Sequence, residues 1–383
     1  MEVLMTKSDT ISGFLINHLW QSTVFGILAL VAILILRRAP ARVRYILWIA
    51  ISLKFLVPSA ALVWLASYLG LNLSSFFIDI AWASGDPILF LTRQSGFFYL
   101  TDALTGSELH LHSMTFWFLI GIWFTGSIVL FSIWTRRQFA FWQVLTRATV
   151  IDQGREASIL SQNVQRMGIR RNVGLMSSSE VTEVGVWGMF KPVILLPKEI
   201  AGHLSDSELE AIFLHELIHV ARWDNFVSNV QMAICCLFWF HPLVWLVDRM
   251  LLSERERVCD DRVLQLGSAS RTYVSSLVKV LRFGLGARIV GASCAGGSNL
   301  KRRIDDIVAG QANMRVSWGQ KLLLGGMLLG LFSFTIAAVK VDECELDMLK
   351  RKLAVSRGAC PESAKAPISV APVRKTSTQC PSS

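Results

Sequence analysis

The chain has 383 residues, 52% hydrophobic and only 17% charged, with a mean hydropathy of +0.47 and a net charge of +10. A soluble domain carries about a quarter charged residues, so this composition excludes a purely soluble globular protein and calls for several membrane spans. The positive charge does not call for nucleic acid, because basic excess collects in the cytoplasmic loops of membrane proteins; no direct nucleic-acid binding is expected.

Residues 11–36 are a long apolar run followed by Arg37, Arg38, Arg42 and Arg44. The run is too long for a signal-peptide core and lacks a basic start and a small-residue cleavage site. It reads as a retained helix with its N-terminus outside. A second span, 45–68, carries Lys54 and Pro58. Lys54 reads equally as a functional intramembrane charge and as a side chain snorkelling to the basic side. Residues 70–114 hold Asp79, Asp86, Asp102 and Glu108 against Arg93, which fits an external loop. A third span, 115–134, returns to Arg136 and Arg137 on the inside. Residues 1–140 are therefore three spans and one external loop. Over 141–320 the composition becomes that of a cytosolic folded domain. A fourth span, 321–339, then leads to a Pro- and Ser-rich tail, 340–383, expected to be extracytoplasmic and disordered. Gly284 to Gly297 reads as a flexible connector.

The seven cysteines form no Cys-x-x-Cys pair, so neither a zinc ribbon nor a thioredoxin site is signalled. Cys235, Cys236, Cys259 and Cys294 are expected as buried thiols. Cys344, Cys360 and Cys380 lie in the tail, where two of them can pair if it is outside.

Within the domain, "VGVWGMFKPVILLPKEI" (Val184 to Ile200) reads as short strands punctuated by Gly185, Gly188, Pro192 and Pro197. "LSDSELEAIFLHELIHVARWDN" then opens a helix, with Ser205 and Glu208 forming a capping box. On that helix His215, Glu216 and His219 make HExxH. The i, i+4 spacing sets both histidines on one face, where each can offer a ring nitrogen to one Zn²⁺. Glu216 stands beside them as the candidate base for a water proton. By residue frequencies such a string arises by chance in roughly one chain in a hundred of this length, so HExxH alone is moderately specific.

Two histidines need a third ligand. His18 falls in the first span, His110 and His112 in the external loop, His203 before the helix and His241 before Pro242. The better candidate is Glu256 in "ERERVCDD". Asp260 follows four residues later on the same helical face, where it can fix the tautomer of a ligand histidine. On spacing alone, Glu254, Glu256, Asp260 and Asp261 read equally as a solvated helix face partnered by Arg255, Arg257 and Arg262.

Between the two motifs runs "NFVSNVQMAICCLFWFHPLVWLV", Asn225 to Val247, 23 residues without Lys, Arg, Asp or Glu. As one straight helix it would be about 33 Å long and could cross a bilayer. His219 and Glu256 would then lie on opposite sides and could not share a metal. The basic residues beyond it, Arg249 to Arg303, would also be translocated, against the positive-inside rule. Pro242 breaks the helix and biases His241 away from αR. The expectation is a helical hairpin turning near His241, buried or dipping into the membrane surface.

Taken together, three N-terminal spans, "LLPKEI", "HELIHVARWDN", "FHPLVW" and "ERERVCDDRVL" resemble the BlaR/MecR-type antirepressor metallopeptidases, bacterial membrane zinc proteases of gluzincin-like design. The resemblance covers about Met1 to Val339. It implies that His215, His219 and Glu256 bind Zn²⁺, that Glu216 is the catalytic base, that Asp260 supports a ligand from behind, and that the domain faces the cytosol. It further implies a mainly α membrane protein, with four transmembrane helices and an α+β gluzincin-like metalloprotease domain, in the bacterial inner membrane. Antibiotic-sensing members carry a large penicillin-binding domain after the last span; here 44 residues follow it. Ser276 and Lys279 match Ser-x-x-Lys, but on an expected cytosolic helix with no domain around them to build an acylation site.

The reading is a zinc endopeptidase in which Glu216 takes the water proton and the metal steadies the oxyanion together with a further donor, for which His241 is the candidate. The strand before the helix offers an edge to an extended substrate if that edge is free. A transcriptional repressor or the protein's own cytosolic loop is the substrate class the resemblance implies, with oligomerisation left open. One rival is a non-catalytic receptor or scaffold with a protease-like domain. Another is a site-2-type intramembrane protease, which Asp206, Glu208, Glu210, Arg222 and Asp224 around HExxH argue against.

Overall fold

The computed structural model describes residues 2–37, 39–58, 68, 113–287, 296–309, 322 and 324–326. The external loop up to residue 112, residues 59–67 of the second expected span, most of the fourth, the connector from 288 to 295 and the tail with its three cysteines lie outside the described residues. The rest is mostly helical with a few strands. In chain order the elements are α1 (Glu2–Ile35), α2 (Ala41–Leu56), α3 (Ser113–Arg147), β1 (Thr149–Val150) and α4 (Arg155–Arg166). Then come β2 (Gly174–Ser178), β3 (Gly185–Trp187), β4 (Val193–Pro197), a 3₁₀ turn (Ile200–His203), α5 (Asp206–Arg222), α6 (Asp224–Leu237), α7 (Pro242–Gln265), α8 (Ser270–Ala287) and α9 (Gly296–Val308).

Among the described residues two helices are long and apolar enough to cross a membrane, over His18–Ile35 and Thr115–Arg147. The expected third span is only the first part of α3. That helix continues through Arg136 and Arg137 for 35 residues in all, about 52 Å, whereas about 20 residues suffice to cross. The arginine pair does not end the helix. Trp117, Phe118, Ile122, Phe124 and Ile128 are all exposed along α3, an apolar surface suited to lipid.

Residues 225–247 do not form one helix. α6 ends at Leu237, the chain turns through 238–241, and α7 starts with Pro242 at its first turn. Pro is favoured there because its missing N–H has no helical partner to lose. The resulting hairpin is packed against α1 and α2. Ile234, Cys235, Val244, Val247 and Leu251 share a buried cluster with Phe25, Ala29, Leu47, Trp48, Ile51 and Phe55. Inside it Ser52 Oγ donates to Gln231 Oε1 at 2.7 Å. The tip is tied to α3: Trp123 Nε1 donates to the Leu237 carbonyl at 2.7 Å and Trp239 Nε1 to the Trp123 carbonyl at 3.3 Å. Trp239 also lies on Gly126, where a Cβ would fall 2.5 Å from the indole.

The sheet runs β1-β2-β4-β3, with β2 and β4 parallel and the other pairs antiparallel. β4, the strand before the site helix, is therefore flanked on both sides and has no free edge. The edges belong to β1 and β3; beside β3, Asn225 Nδ2 donates to the Val186 carbonyl at 3.2 Å and to the Gly188 carbonyl just past the strand at 3.1 Å. Gly188 has φ +90°, and a Cβ there would meet the Lys191 carbonyl at 2.4 Å, so the β3–β4 turn needs glycine. Helix α5 is buried on two sides. Leu209, Ile212, Phe213 and Leu217 pack with Leu175, Ile194 and Leu196 of the sheet and Leu160 of α4. Ala211, Leu214 and Ile218 pack with Cys259, Val263, Tyr273 and Ile307 of α7, α8 and α9.

Candidate metal centre

The start of α5 is fixed by its own sequence. Ser205 Oγ accepts from Glu208 N at 3.3 Å, and Glu208 Oε2 accepts from Ser205 N at 2.9 Å. Glu208 also receives Ser275 Oγ and Lys279 Nζ, each at 2.7 Å. Burial would push this carboxyl up, but the bonds from Lys279, Ser205 and Ser275 outweigh it and hold it at about 2. Lys279 of the Ser-x-x-Lys match is thus engaged with α5, and Ser276 Oγ donates to the Tyr273 carbonyl at 2.7 Å.

Two turns further on, His215 and His219 point to one place, with Nε2 atoms 3.1 Å apart. Glu256 of α7 completes the set: Oε2 lies 3.4 Å from His215 Nε2 and Oε1 3.8 Å from His219 Nε2. Tetrahedral zinc with bonds near 2 Å sets its ligand atoms roughly 3.3 Å apart, so the triangle fits that ion. The backs of the rings agree. His219 Nδ1 donates to Asp224 Oδ2 at 2.8 Å. Tyr273 OH donates to Asp260 Oδ1 at 2.5 Å and so accepts from His215 Nδ1 at 2.8 Å. Both Nδ1 atoms are then protonated, and both Nε2 lone pairs face the Glu256 carboxylate. Three electron-pair donors meeting at one point are satisfied together by a cation.

Asp260 does stand behind His215, with Oδ1 3.5 Å from Nδ1, but Tyr273 carries the hydrogen bonds between them. Asp260 is in turn gripped by Arg303 of α9, whose Nε and Nη2 each donate at 2.7 Å. Arg303 Nη1 also lies 3.3 Å from Glu256 Oε2. Glu256 is partly buried, which raises a carboxyl, but the imidazoles and the Arg303 guanidinium around it pull it well below its usual range. Burial pushes Glu216 upward, against the pull of His219 and with the push of Glu256. A buried carboxyl beside two imidazoles and raised in this way can accept a proton and give it back.

A second group, His219, Asp224 and Cys259, also comes within ligand reach. It would use His219 Nδ1, which already donates to Asp224. Arg222 lies 3.6 Å from Cys259 Sγ and 3.4 Å from Asp224 Oδ1, so a positive charge is already in place. Burial pushes the Cys259 thiol well up, which keeps it protonated and a poor ligand. Cys235, Cys236 and Cys259 are buried free thiols, as expected; Cys294 lies outside the described residues.

His241 is not at this centre. It caps α7, its Nε2 is 3.0 Å from Thr23 Oγ1, and its ring packs on Phe55 with centroids 5.0 Å apart. Fifteen residues of helix, about 22 Å, separate it from Glu256. Sequence proximity to a hydrophobic turn placed it near the site; the length of α7 carries it away.

Asp224, Tyr273 and Arg303 escaped the sequence reading. Asp224 had a signal within "HELIHVARWDN". Trp223 takes the left-handed conformation (φ 60°) that breaks α5 from α6, and this turn returns Asp224 to His219. Tyr273 and Arg303 reach the site from separate helices, with no local spacing to announce them.

A family model described as BlaR1 peptidase M56 matches residues 14–307. The methicillin resistance mecR1 protein of Staphylococcus aureus is 31% identical over 97 residues, 25% of this chain and 17% of that protein. The mecR1 protein of Staphylococcus epidermidis gives the same figures. Regulatory protein BlaR1 of Bacillus licheniformis is 24% identical over 144 residues, 38% of this chain and 24% of that protein. The chain thus aligns with less than a quarter of the length of each of these relatives.

Proposed function

This chain belongs to the BlaR1 peptidase M56 family, and from that premise we propose that it is a membrane-bound zinc endopeptidase acting on the cytoplasmic side of a bacterial inner membrane. The observation that carries the reading is the meeting of His215 Nε2, His219 Nε2 and the Glu256 carboxylate within 4 Å of one another. Zn²⁺ held by these three residues supplies Lewis acidity, which polarises a scissile carbonyl and acidifies water. The protein does the rest. Asp224 and Tyr273 keep both imidazoles in the tautomer that presents Nε2. Glu216 takes a proton from the attacking water and passes it to the leaving amine. Arg303 and Asp260 hold Glu256 and Tyr273 in place.

The domain layout proposed from the sequence is three spans within 1–140, a cytosolic metallopeptidase domain over 141–320, a fourth span over 321–339 and an extracytoplasmic tail. The hairpin supports it, because α6 and α7 bring Glu256 back to the side where His219 stands. The substrate class is a transcriptional repressor or this protein's own cytosolic segment, in regulated proteolysis. That part leans on the family and on the names of the relatives, a regulatory protein and two resistance proteins.

The test uses the full chain in membranes, wild type beside Glu216→Gln. Metal analysis should find about one zinc per chain in both, because Glu216 is not a ligand. Fragments of the protein, or of a co-expressed repressor, should appear only with wild type. Absence of zinc from wild type would sink the metal reading. Zinc in both with identical fragment patterns would favour the non-catalytic receptor.

A further inference from the structure

The two helices that carry the candidate ligands are joined through a third element, the N-terminal helix α2. Arg44, the last residue of the basic cluster, and Tyr45 beside it reach the neighbours of both halves of the centre. Arg44 Nε and Nη2 donate to Glu254 Oε1 and Oε2 at 3.0 and 2.8 Å. Glu254 is 3% exposed and sits on α7 two residues before Glu256. Arg44 Nη1 also donates to the Arg37 and Ala39 carbonyls, which fixes the guanidinium to the α1–α2 turn. The neighbouring Tyr45 turns to the other half. Its hydroxyl donates to Asp224 Oδ1 at 3.5 Å, and Arg222 lies over its ring at 4.7 Å. The other Asp224 oxygen is the one that accepts from His219 Nδ1.

We propose that Arg44 and Tyr45 are positioning residues of the metal centre, so that an apolar N-terminal helix is a working part of the active site. The proposal rests on the zinc reading above. Its physical basis is tolerance: a metal site accepts ligand displacements of only about 0.2 Å, and its outer partners set the orientation of each ligand. His215 and His219 come from α5 and Glu256 from α7, so their separation must be held across two helices. Direct packing of α5 on α7 sets that separation, and two adjacent side chains of α2 brace it from outside, one through Glu254 and the other through Asp224. The Arg44–Glu254 pair is a two-bond fork, which an ammonium cannot reproduce. Removing the Tyr45 hydroxyl leaves its ring under Arg222 and takes away the polar contacts of the hydroxyl with Asp224 and Arg222. A shift of α2 therefore acts on the Glu256 side and the His219 side together.

The experiment measures zinc affinity of the full chain in lipid nanodiscs by competition with a chelator, beside thermal unfolding of the zinc-free protein. The variants are Tyr45→Phe, Arg44→Lys and, as a control on the exposed side of α2, Leu53→Ala. Tyr45→Phe and Arg44→Lys should each weaken zinc by about tenfold, the low end for outer-partner changes. Their zinc-free melting should stay close to that of Leu53→Ala. With Co²⁺ in place of zinc, the visible absorption band should shift in Tyr45→Phe and not in Leu53→Ala. Unchanged affinity and an unshifted cobalt band in both variants would overturn the proposal. So would a loss of affinity that merely follows a loss of zinc-free stability. If Arg44→Lys fails to fold, Tyr45→Phe decides alone. A wild type that binds no zinc would overturn the metal reading and this inference with it, whereas normal wild-type binding with indifferent variants overturns only this one.

Discussion

The hairpin bundle and the candidate metal centre are built at opposite ends of one helix, α7, and by opposite means. In the bundle Val244, Val247 and Leu251 face Phe25, Leu47, Trp48 and Phe55, and the lipid-suited surface of α3 runs alongside. At the centre Glu256 and Asp260 meet His215, His219, Tyr273 and Arg303 in a buried network of charged and polar groups. The bundle is held by volume, which many residue types can fill. The centre is held by directed bonds, where each donor needs its one acceptor. Substitutions should therefore act differently at the two ends: by size in the bundle, by chemistry at the centre.

The sharpest break in that contrast is removal of a ligand. Glu256→Gln or His219→Ala, although nearly neutral in volume or smaller, should lose zinc and lower proteolysis at least about 1,000-fold, within the range for removing an essential group; metal analysis and fragment yield check it. In the bundle the converse holds. Gly126→Val adds only apolar atoms, yet drives a side chain into Trp239. It should destabilise hairpin docking by up to about 3 kcal/mol, read as a lower melting temperature in detergent with zinc stoichiometry preserved in the folded fraction.

Acid should strike the domain through Glu208. Its carboxyl is held at about 2 in the folded protein against an ordinary 4.5. A depressed acid contributes stability that is present above its unfolded value and is lost as pH falls through the folded one. The loss should thus run from about pH 4.5 to about pH 2. It should amount to about 2 kcal/mol once solvent at the half-exposed Lys279 is allowed for. Glu208→Gln should flatten the melting curve over that window; an unchanged slope would deny the pair its role. The smallest effect is Tyr273→Phe. It removes one hydroxyl between His215 and Asp260 and should weaken zinc about tenfold while leaving melting of the zinc-free protein nearly unchanged.

The same contrast explains what the sequence made legible. A proline within an uncharged run is a local signal, so the hairpin could be read from Pro242. HExxH and the capping box are local as well, and the i, i+4 spacing of Glu256 and Asp260 marks a shared face. Strand order is not local: β4 precedes the site helix in the chain, yet lies inside the sheet, and β3 takes an edge. Tyr45 lies 170 residues before His215, Tyr273 and Arg303 sit on later helices, and no spacing connects them to the centre. His241 failed for a related reason. It lies between two motifs in sequence, but a helix is a rigid spacer and sets it a full bundle away.

That rigidity has a mechanical consequence. α7 is continuous from Pro242 to Gln265 and has no internal break. Pivoted at its proline end, it is a lever about 22 Å long from His241 to Glu256. A tilt of about half a degree at the hairpin tip then moves the carboxylate by ~0.2 Å, the whole margin a zinc ligand tolerates. On the zinc reading proposed above, the seating of the hairpin tip against α1, α2 and α3 therefore fixes the far end of α7 to within a fraction of an ångström.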